Sequence, residues 1–292
     1  MLKLGIIGAG TVGTALALRL NDKGYQVVAV SSRSQVSAEN LVRAISHCRF
    51  FNNSQDVVDI AELVFITTPD DTIAQVASQL EWHGGQGVVH CSGADSTEIL
   101  QPARKLGAYV GVFHPLQTFA STEQAMENMP GSTFTVEAEE PLLSTLKDMA
   151  TALDGHWIEL KASDKVIYHA AAVIACNYVV TLVKLATDLW QAFSIPPHQA
   201  TQALLPLLRG TISNIDAIGI PQCLTGPIAR GDSGTIKKHL SALEEVAPAV
   251  LSTYRELGLQ TIPIALAKGR INEQQAQELQ AILRGKSDEN DT

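Results

Sequence analysis

The sequence predicts an α/β chain in two parts, a doubly wound parallel sheet followed by an all-helical domain. Three observations carry that prediction. Short β-branched runs alternate with helical periods from Leu2 to about Lys161, the strand signals stop at Ser163 while helical periods continue to about Arg284, and a glycine-rich turn joins the first strand to the first helix. Strands separated by helices make parallel sheets, because a parallel connection needs a crossover. The expected domains are 1–161 and 162–285, and the polar end, 286–292, is expected to be disordered.

The strands read in order as KLGIIG, YQVVAV, ELVFITTP, GQGVVHCSG, AYVGVFHP, STFTVEAE and HWIEL. A first helix runs from the glycine turn to about Asn21. In the second part Ser163 reads as the N-cap of one long helix that reaches about Phe193, where Ile195-Pro196-Pro197 ends it. Ala170, Val173, Ile174, Tyr178, Leu182 and Leu185 spread over more than one stripe of that helix. It is therefore expected to be buried on several sides and to bring two copies together as a homodimer through the helical domain.

Composition narrows the functional classes. The 292 residues, 46% of them hydrophobic and 17% charged, suffice for two cores, and a net charge of −9 excludes a phosphate-binding nucleic-acid surface. Cys48, Cys91, Cys176 and Cys223 show no ligand spacing, so no metal and no disulfide is expected. No basic, apolar leader precedes the first strand, and polar residues break the apolar runs before the roughly twenty needed to span a bilayer. The expectation is a cytoplasmic protein with a small-molecule substrate and no membrane or nucleic-acid partner.

In Gly8-Ala9-Gly10-Thr11-Val12-Gly13, Gly8 permits the tight turn, Gly10 lets a pyrophosphate approach the backbone, and Gly13 lets the helix lie close to the strand. The N–H groups that open the helix, beginning at Thr11 and Val12, face the phosphates with the positive end of the dipole. Dinucleotide sites for NAD commonly place an acid at the end of the second strand to hold the ribose 2′-hydroxyl. Here the chain reads Ser31-Ser32-Arg33-Ser34, and the nearest acid is Glu39. Hydroxyls and a guanidinium suit a 2′-phosphate, so NADP is expected, with NAD the less favoured cofactor. Thr67, Thr68 and Pro69 close the next strand at its carboxyl end, where open α/β sheets bind ligands.

With GAGTVG, FITTPDD at Phe65 to Asp71 and VHCSGA at Val89 to Ala94, the first part resembles the Rossmann domains of the 6-phosphogluconate dehydrogenase-like superfamily, which includes pyrroline-5-carboxylate reductases and prephenate dehydrogenases. Over nearly its full length the chain is similar to the bacterial family that pairs a Rossmann-like domain with a C-terminal domain of unknown function. HPLQTFA at His114 to Ala120, YHAAAVIACNY at Tyr168 to Tyr178 and LTGPIARGD at Leu224 to Asp232 carry that likeness. The resemblance implies an N-terminal Rossmann sheet followed by an all-α 6-phosphogluconate dehydrogenase C-terminal-like domain. It does not name the reaction.

Ser92 and His114 end neighbouring strands, and a histidine can move a proton near neutral pH. In prephenate dehydrogenases a strand-ending serine and a histidine before proline are similar to Ser92 and His114-Pro115, and there the histidine takes the proton of the hydroxyl being oxidised. This chain continues with Leu116-Gln117-Thr118 in place of that family's glycine-containing turn. Gln117 is a candidate substrate contact. A hydrogen-bonded, structural His114 is the competing reading.

Lys165 and His169 are four apart and share a helix face, and Asn177 lies two turns on, rotated by about 80°. In several superfamily members a catalytic lysine precedes an asparagine by one turn here, but that place holds Val173 or Ile174. Either His169 or Lys165 substitutes for it, or the row is a core face with one buried, hydrogen-bonded Asn. Thr225 and Arg230 in the glycine-rich LTGPIARGD loop either clamp a substrate carboxylate, or Arg230 pairs with Asp232 and fixes the turn. The expected function is NADP-dependent hydride transfer to or from a small carboxylate-bearing substrate. The alternative is a dinucleotide-binding sensor or scaffold without turnover.

Overall fold

In the computed structural model, which describes residues 1–285, the chain divides into two units, Met1–Asn177 and Tyr178 onward. The tail expected to be disordered, 286–292, lies outside the described residues.

The first unit is built on eight strands: β1 (Lys3–Ile7), β2 (Gln26–Ser31), β3 (Arg49–Phe50), β4 (Leu63–Ile66), β5 (Gly87–His90), β6 (Tyr109–Leu116), β7 (Thr133–Ala138) and β8 (His156–Glu159). They form one sheet in the order β3-β2-β1-β4-β5-β6-β7-β8. The seven strands read from the sequence are present, and β3, only two residues long, offers no run to read. All pairings are parallel except β6 with β7, which is antiparallel. Strand and helix alternate in the sequence whichever way a strand returns, so the pattern could not reveal that reversal.

Helices α1 (Thr11–Asp22), α2 (Gln35–Ala44), α3 (Ser54–Ile60), α4 (Asp70–Gln79), α5 (Gln101–Lys105), α6 (Thr122–Asn128) and α7 (Leu142–Ala152) cover both faces. Alternate side chains of each strand point to opposite faces. Thus Ile6, Phe65 and Phe113 join one core with α1, α2, α6 and α7, while Ile7, Val64 and Ile66 join a second with α3, α4 and α5. Phe113 stacks on Phe134 at 4.6 Å between ring centroids, which ties β6 to β7.

The single long helix expected from Ser163 is interrupted. A 3-10 turn, Ala162–Asp164, comes first, so Ser163 lies inside it and its hydroxyl donates to Asp164 Oδ1 (2.9 Å) instead of capping a helix. Helix α8 (Lys165–Ala175) then stops at Cys176 (φ −117°, ψ −67°), and α9 (Asn177–Leu189) follows. The unit boundary falls just after this break, so α8 belongs with the sheet. Periodicity reports a helix, not the core it serves.

Helices α10 (Pro197–Ile218), α11 (Ser233–Val246), α12 (Pro248–Ala267) and α13 (Glu273–Arg284) complete the second unit. Its core gathers Ile228, Ile236, Ile262, Leu279 and Leu283 from α11 to α13 and the turn before them. A capping box between Asn272 and Gln275 starts α13. By contrast, Ala200 is the one buried residue of α10's 22. Against the expectation from the sequence, the helical stretch Ala162–Phe193 is long and apolar enough to cross a membrane by length and composition. Lys165, His169 and Asn177 interrupt the letters of that run, and they are too few to offset the Val, Ile, Leu and Ala around them.

Candidate functional site

The carboxyl ends of β1, β2 and β4 open onto a cleft of about 610 Å³. Its floor is set by main-chain contacts. Gly8 sits at φ +108°, and a side chain there would meet the Thr67 carbonyl at 2.8 Å. A Cβ on Gly13 would collide with the Gly8 carbonyl oxygen and with Thr67 Oγ1. Thr67 Oγ1 donates to the Gly8 carbonyl (2.6 Å), Thr67 N–H to Ile7 O (2.8 Å), and Gly8 N–H to Ser31 O (2.8 Å). Gly10, the N-cap of α1, has nothing within 4 Å of its missing side chain, so the helix start faces open space.

Gly8, Gly10, Ser31, Ser32, Arg33, Thr67, Thr68 and Pro69 all line this cleft, as the sequence predicts. Thr11 and Val12 begin α1 beside it, and Gly13 acts beneath it as the contact that brings α1 to the sheet. Asn52, Ser54 and Gln75 also line it and were not anticipated, because β3, which leads to the first two, is too short to read. Among the described residues no carboxylate lines the cleft, and Arg33 makes no ion pair. Thr68 Oγ1 is buried and has no hydrogen-bond partner among the described residues. The orphaned hydroxyl, the bare face of Gly10 and the free α1 N-terminus fit a dinucleotide.

A second cluster forms where β5 and β6 end. His90 Nδ1 accepts from the Ser92 N–H (3.1 Å), which leaves Nε2 as the N–H that donates to Ser96 O (3.1 Å). This buried ring clamps the loop after β5. Ser92 Oγ lies 2.8 Å from both Asp70 Oδ2 and Asp95 Oδ2 and accepts from the Asp95 N–H (3.1 Å). The hydroxyl is thus engaged in holding the loop to α4, a positioning role. Lys165, 1% exposed, points from α8 toward the Ser92 carbonyl (3.4 Å). Burial lowers its pKa, and Glu137, Asp95 and Asp70 oppose that shift.

His114 Nδ1 is 2.8 Å from the Tyr168 hydroxyl, and the His114 and His169 rings stand edge to face with centroids 6.3 Å apart. Burial, then the nearby Lys165 ammonium, pushes His114 down to about 4. It is therefore neutral at pH 7 and a weaker base than a free histidine, whose ordinary value had made it attractive from sequence. His90, Tyr168, Asp70, Asp95 and Glu137 join this cluster unannounced. Their one sequence signal was proximity to motifs already singled out.

Other sequence candidates lie apart. Asn177 is exposed at the start of α9 and is not the buried, hydrogen-bonded residue one reading required. The Gln117 amide bonds to Asn128 O and Ser132 Oγ (both 3.3 Å) and accepts from the Thr118 N–H (2.9 Å), so it fixes the turn after β6. In the second unit, Thr225 and Arg230 are exposed on a loop held by Lys268 Nζ, which donates to Gln222 O and Leu224 O (both 2.7 Å). Asp232 caps α11 by accepting from the Thr235 N–H (2.9 Å) and forms no ion pair with Arg230 among the described residues.

Residues 1–115 match a Rossmann-like domain, and residues 132–261 match a domain of unknown function, DUF2520. Among curated proteins none matches. Two solved structures are similar over most of the chain. A Bacteroides fragilis protein provisionally titled an NADP oxidoreductase is 26% identical, with a TM-score of 0.72 over 89% of this chain and 97% of that one. A Thermotoga maritima protein is 28% identical, with a TM-score of 0.69 over 84% and 92%. The 1-pyrroline-5-carboxylate reductase of Streptococcus pyogenes, 15% identical with a TM-score of 0.60 over 96% and 98%, shares the fold.

The two depressed histidines make stability depend on pH. Burial, opposed by the Ser96 bond, holds His90 at about 4, as His114 is held. The unfolded chain takes up these protons near pH 6.5 and the folded chain only near 4, so stability is complete above pH 6.5 and is lost as pH falls between those values. From pH 7 to 5.5 the loss for His90 alone is about 1 kcal/mol. Urea unfolding at the two pH values checks it, and equal midpoints in wild type would contradict the assignment.

Proposed function

Because the chain joins a Rossmann-like domain to a DUF2520 domain, we propose that it is an NADP-dependent oxidoreductase acting on a small carboxylate-bearing substrate. The observation that carries this reading is a cleft that, among the described residues, holds no carboxylate and leaves Arg33 without an ion pair beside Ser31, Ser32 and Ser34. NADP, when bound, exchanges a hydride with a substrate carbon. The Gly8 to Gly13 backbone and the start of α1 hold its pyrophosphate, and Arg33 with the neighbouring hydroxyls holds its 2′-phosphate. His114, neutral at pH 7, exchanges a proton with the substrate. The carboxylate preference comes from the second unit by itself, where Arg230 is exposed on a fixed loop and, among the described residues, forms no ion pair.

One observation favours a sensor without turnover: a His114 held at about 4 is a poor base at neutral pH. NADPH oxidation or NADP⁺ reduction in a metabolite screen separates the two readings. For cofactor choice, a charged hydrogen-bonded contact is worth about 1.5–3 kcal/mol, so NADPH should bind roughly ten- to a hundredfold more tightly than NADH. Nicotinamide fluorescence measures both, and Arg33→Ala should shrink the gap. Equal affinities in wild type would defeat the NADP assignment.

We further propose a homodimer through the helical part. In α10 the side chains of Leu207, Ile212 and Ile218 are 68%, 62% and 59% exposed in the single chain. A soluble monomer rarely shows such a face, and a second copy is the commonest cover. Light scattering at micromolar concentration should give twice the 31.2 kDa chain mass, and Ile212→Lys should shift it toward the monomer. A monomeric wild type would rule the dimer out.

A further inference from the structure

Helix α10 is covered along only part of its length. Ala200 is buried and Thr201, Leu204 and Leu208 are half-buried, whereas every residue from Arg209 to Ile218 is exposed. The apolar pattern nevertheless runs on without a break. Leu205, Leu208, Ile212 and Ile215 recur at alternating intervals of three and four, the spacing that makes one seam along a helix. Past Arg209 that seam carries Ile212 and Ile215, 62% and 43% exposed. A bare helical stretch of this length, about 15 Å, is marginal in water on its own, so its stability comes from whatever covers the seam.

The charges of α10 identify the cover. Arg209 and Asp216 are its only acidic or basic residues apart from His198, and they stand seven apart, two turns along the same flank of the seam. About 10 Å of helix separates them, too far to pair with each other, and neither forms an ion pair among the described residues. We propose, resting on the homodimer reading above, that the bare half of α10 packs antiparallel on the same half of α10 from a second copy, across a two-fold axis near Ser213 and Asn214. Such an axis makes every contact twice. It sets Ile212 against the partner's Ile215, and Arg209 against the partner's Asp216. A parallel pairing would instead set Arg209 against Arg209 and Asp216 against Asp216, so the charges select the antiparallel one. The seam supplies affinity, and the flanking charges supply orientation and register. A second copy therefore matches both the length of the bare half and the order of its charges.

Sedimentation equilibrium of the full-length protein gives the dimer dissociation constant for wild type, Arg209→Asp, Asp216→Arg and the double exchange. Each single exchange sets two like-charged contacts across the axis and should weaken the dimer about tenfold. The double exchange restores opposite charges and should return the constant to within about threefold of wild type. Should a reversed charge prevent folding, Arg209→Gln and Asp216→Asn remove the charges without reversing them. Each should then weaken the dimer about threefold, and the two together no more than either alone, as partners in one contact require. Single exchanges without effect, a double exchange no tighter than the singles, or additive losses in the neutral pair would overturn the antiparallel pairing and leave the dimer standing. A wild type that stays monomeric at micromolar concentration would overturn the homodimer reading itself.

Discussion

Helix α1 can reach the ends of β1 and β4 only because position 13 has no side chain. A Cβ there would collide with the Gly8 carbonyl oxygen and Thr67 Oγ1, the two atoms joined by the hydrogen bond that locks the strand ends together. From that close approach the rest of the cleft follows. The α1 N-terminus is carried to the sheet edge, its free N–H groups face outward over the bare Gly10, and Gly8, at φ +108°, makes the turn that connects them. A side chain at position 13 would have to push α1 away from the strand ends or displace the Thr67 hydroxyl from the Gly8 carbonyl.

The second dependency is electrostatic. Lys165 is among the largest fully buried side chains of the chain, and an unpaired buried ammonium would be prohibitive. Its neighbours are the carboxylates of Glu137, Asp95 and Asp70, contributed by β7, the loop after β5 and the start of α4. Lys165 Nζ also meets Ser92 O (3.4 Å), a contact that ties α8 to the loop after β5, and α8 belongs with the first unit. The same ammonium disfavours charge on His114, keeping the imidazole neutral with a donor and an acceptor nitrogen. Structure and site chemistry therefore share one set of charges.

Much of this was legible in the sequence, because it is local. The glycine turn, the β-branched strands and the serines after β2 each announce themselves within ten residues, and eight of the eleven residues expected to hold a cofactor line the cleft. What the sequence concealed depends on distant pairings. Ser92 looked like a reacting group until Asp70 and Asp95 were found on its hydroxyl, and His114 looked like a base of ordinary strength until burial beside Lys165 lowered it. Asn177 and Lys165 seemed to share one helix, but the break at Cys176 parts them. Tyr168 and Gly93 stood inside motifs already noticed, with nothing in their neighbours to say that a histidine ring would lie against each.

The central claim is that the glycine turn, the ends of β2 and β4, and the start of α1 form one dinucleotide site. Hydrogen–deuterium exchange on the full chain, with and without saturating NADPH, addresses it peptide by peptide. The account predicts slowed exchange in the peptides spanning Gly8–Gly13, Ser31–Ser37 and Thr67–Thr72, the segments that line or underlie the cleft. Unchanged exchange in all three segments, or protection confined to other parts of the chain, would contradict it.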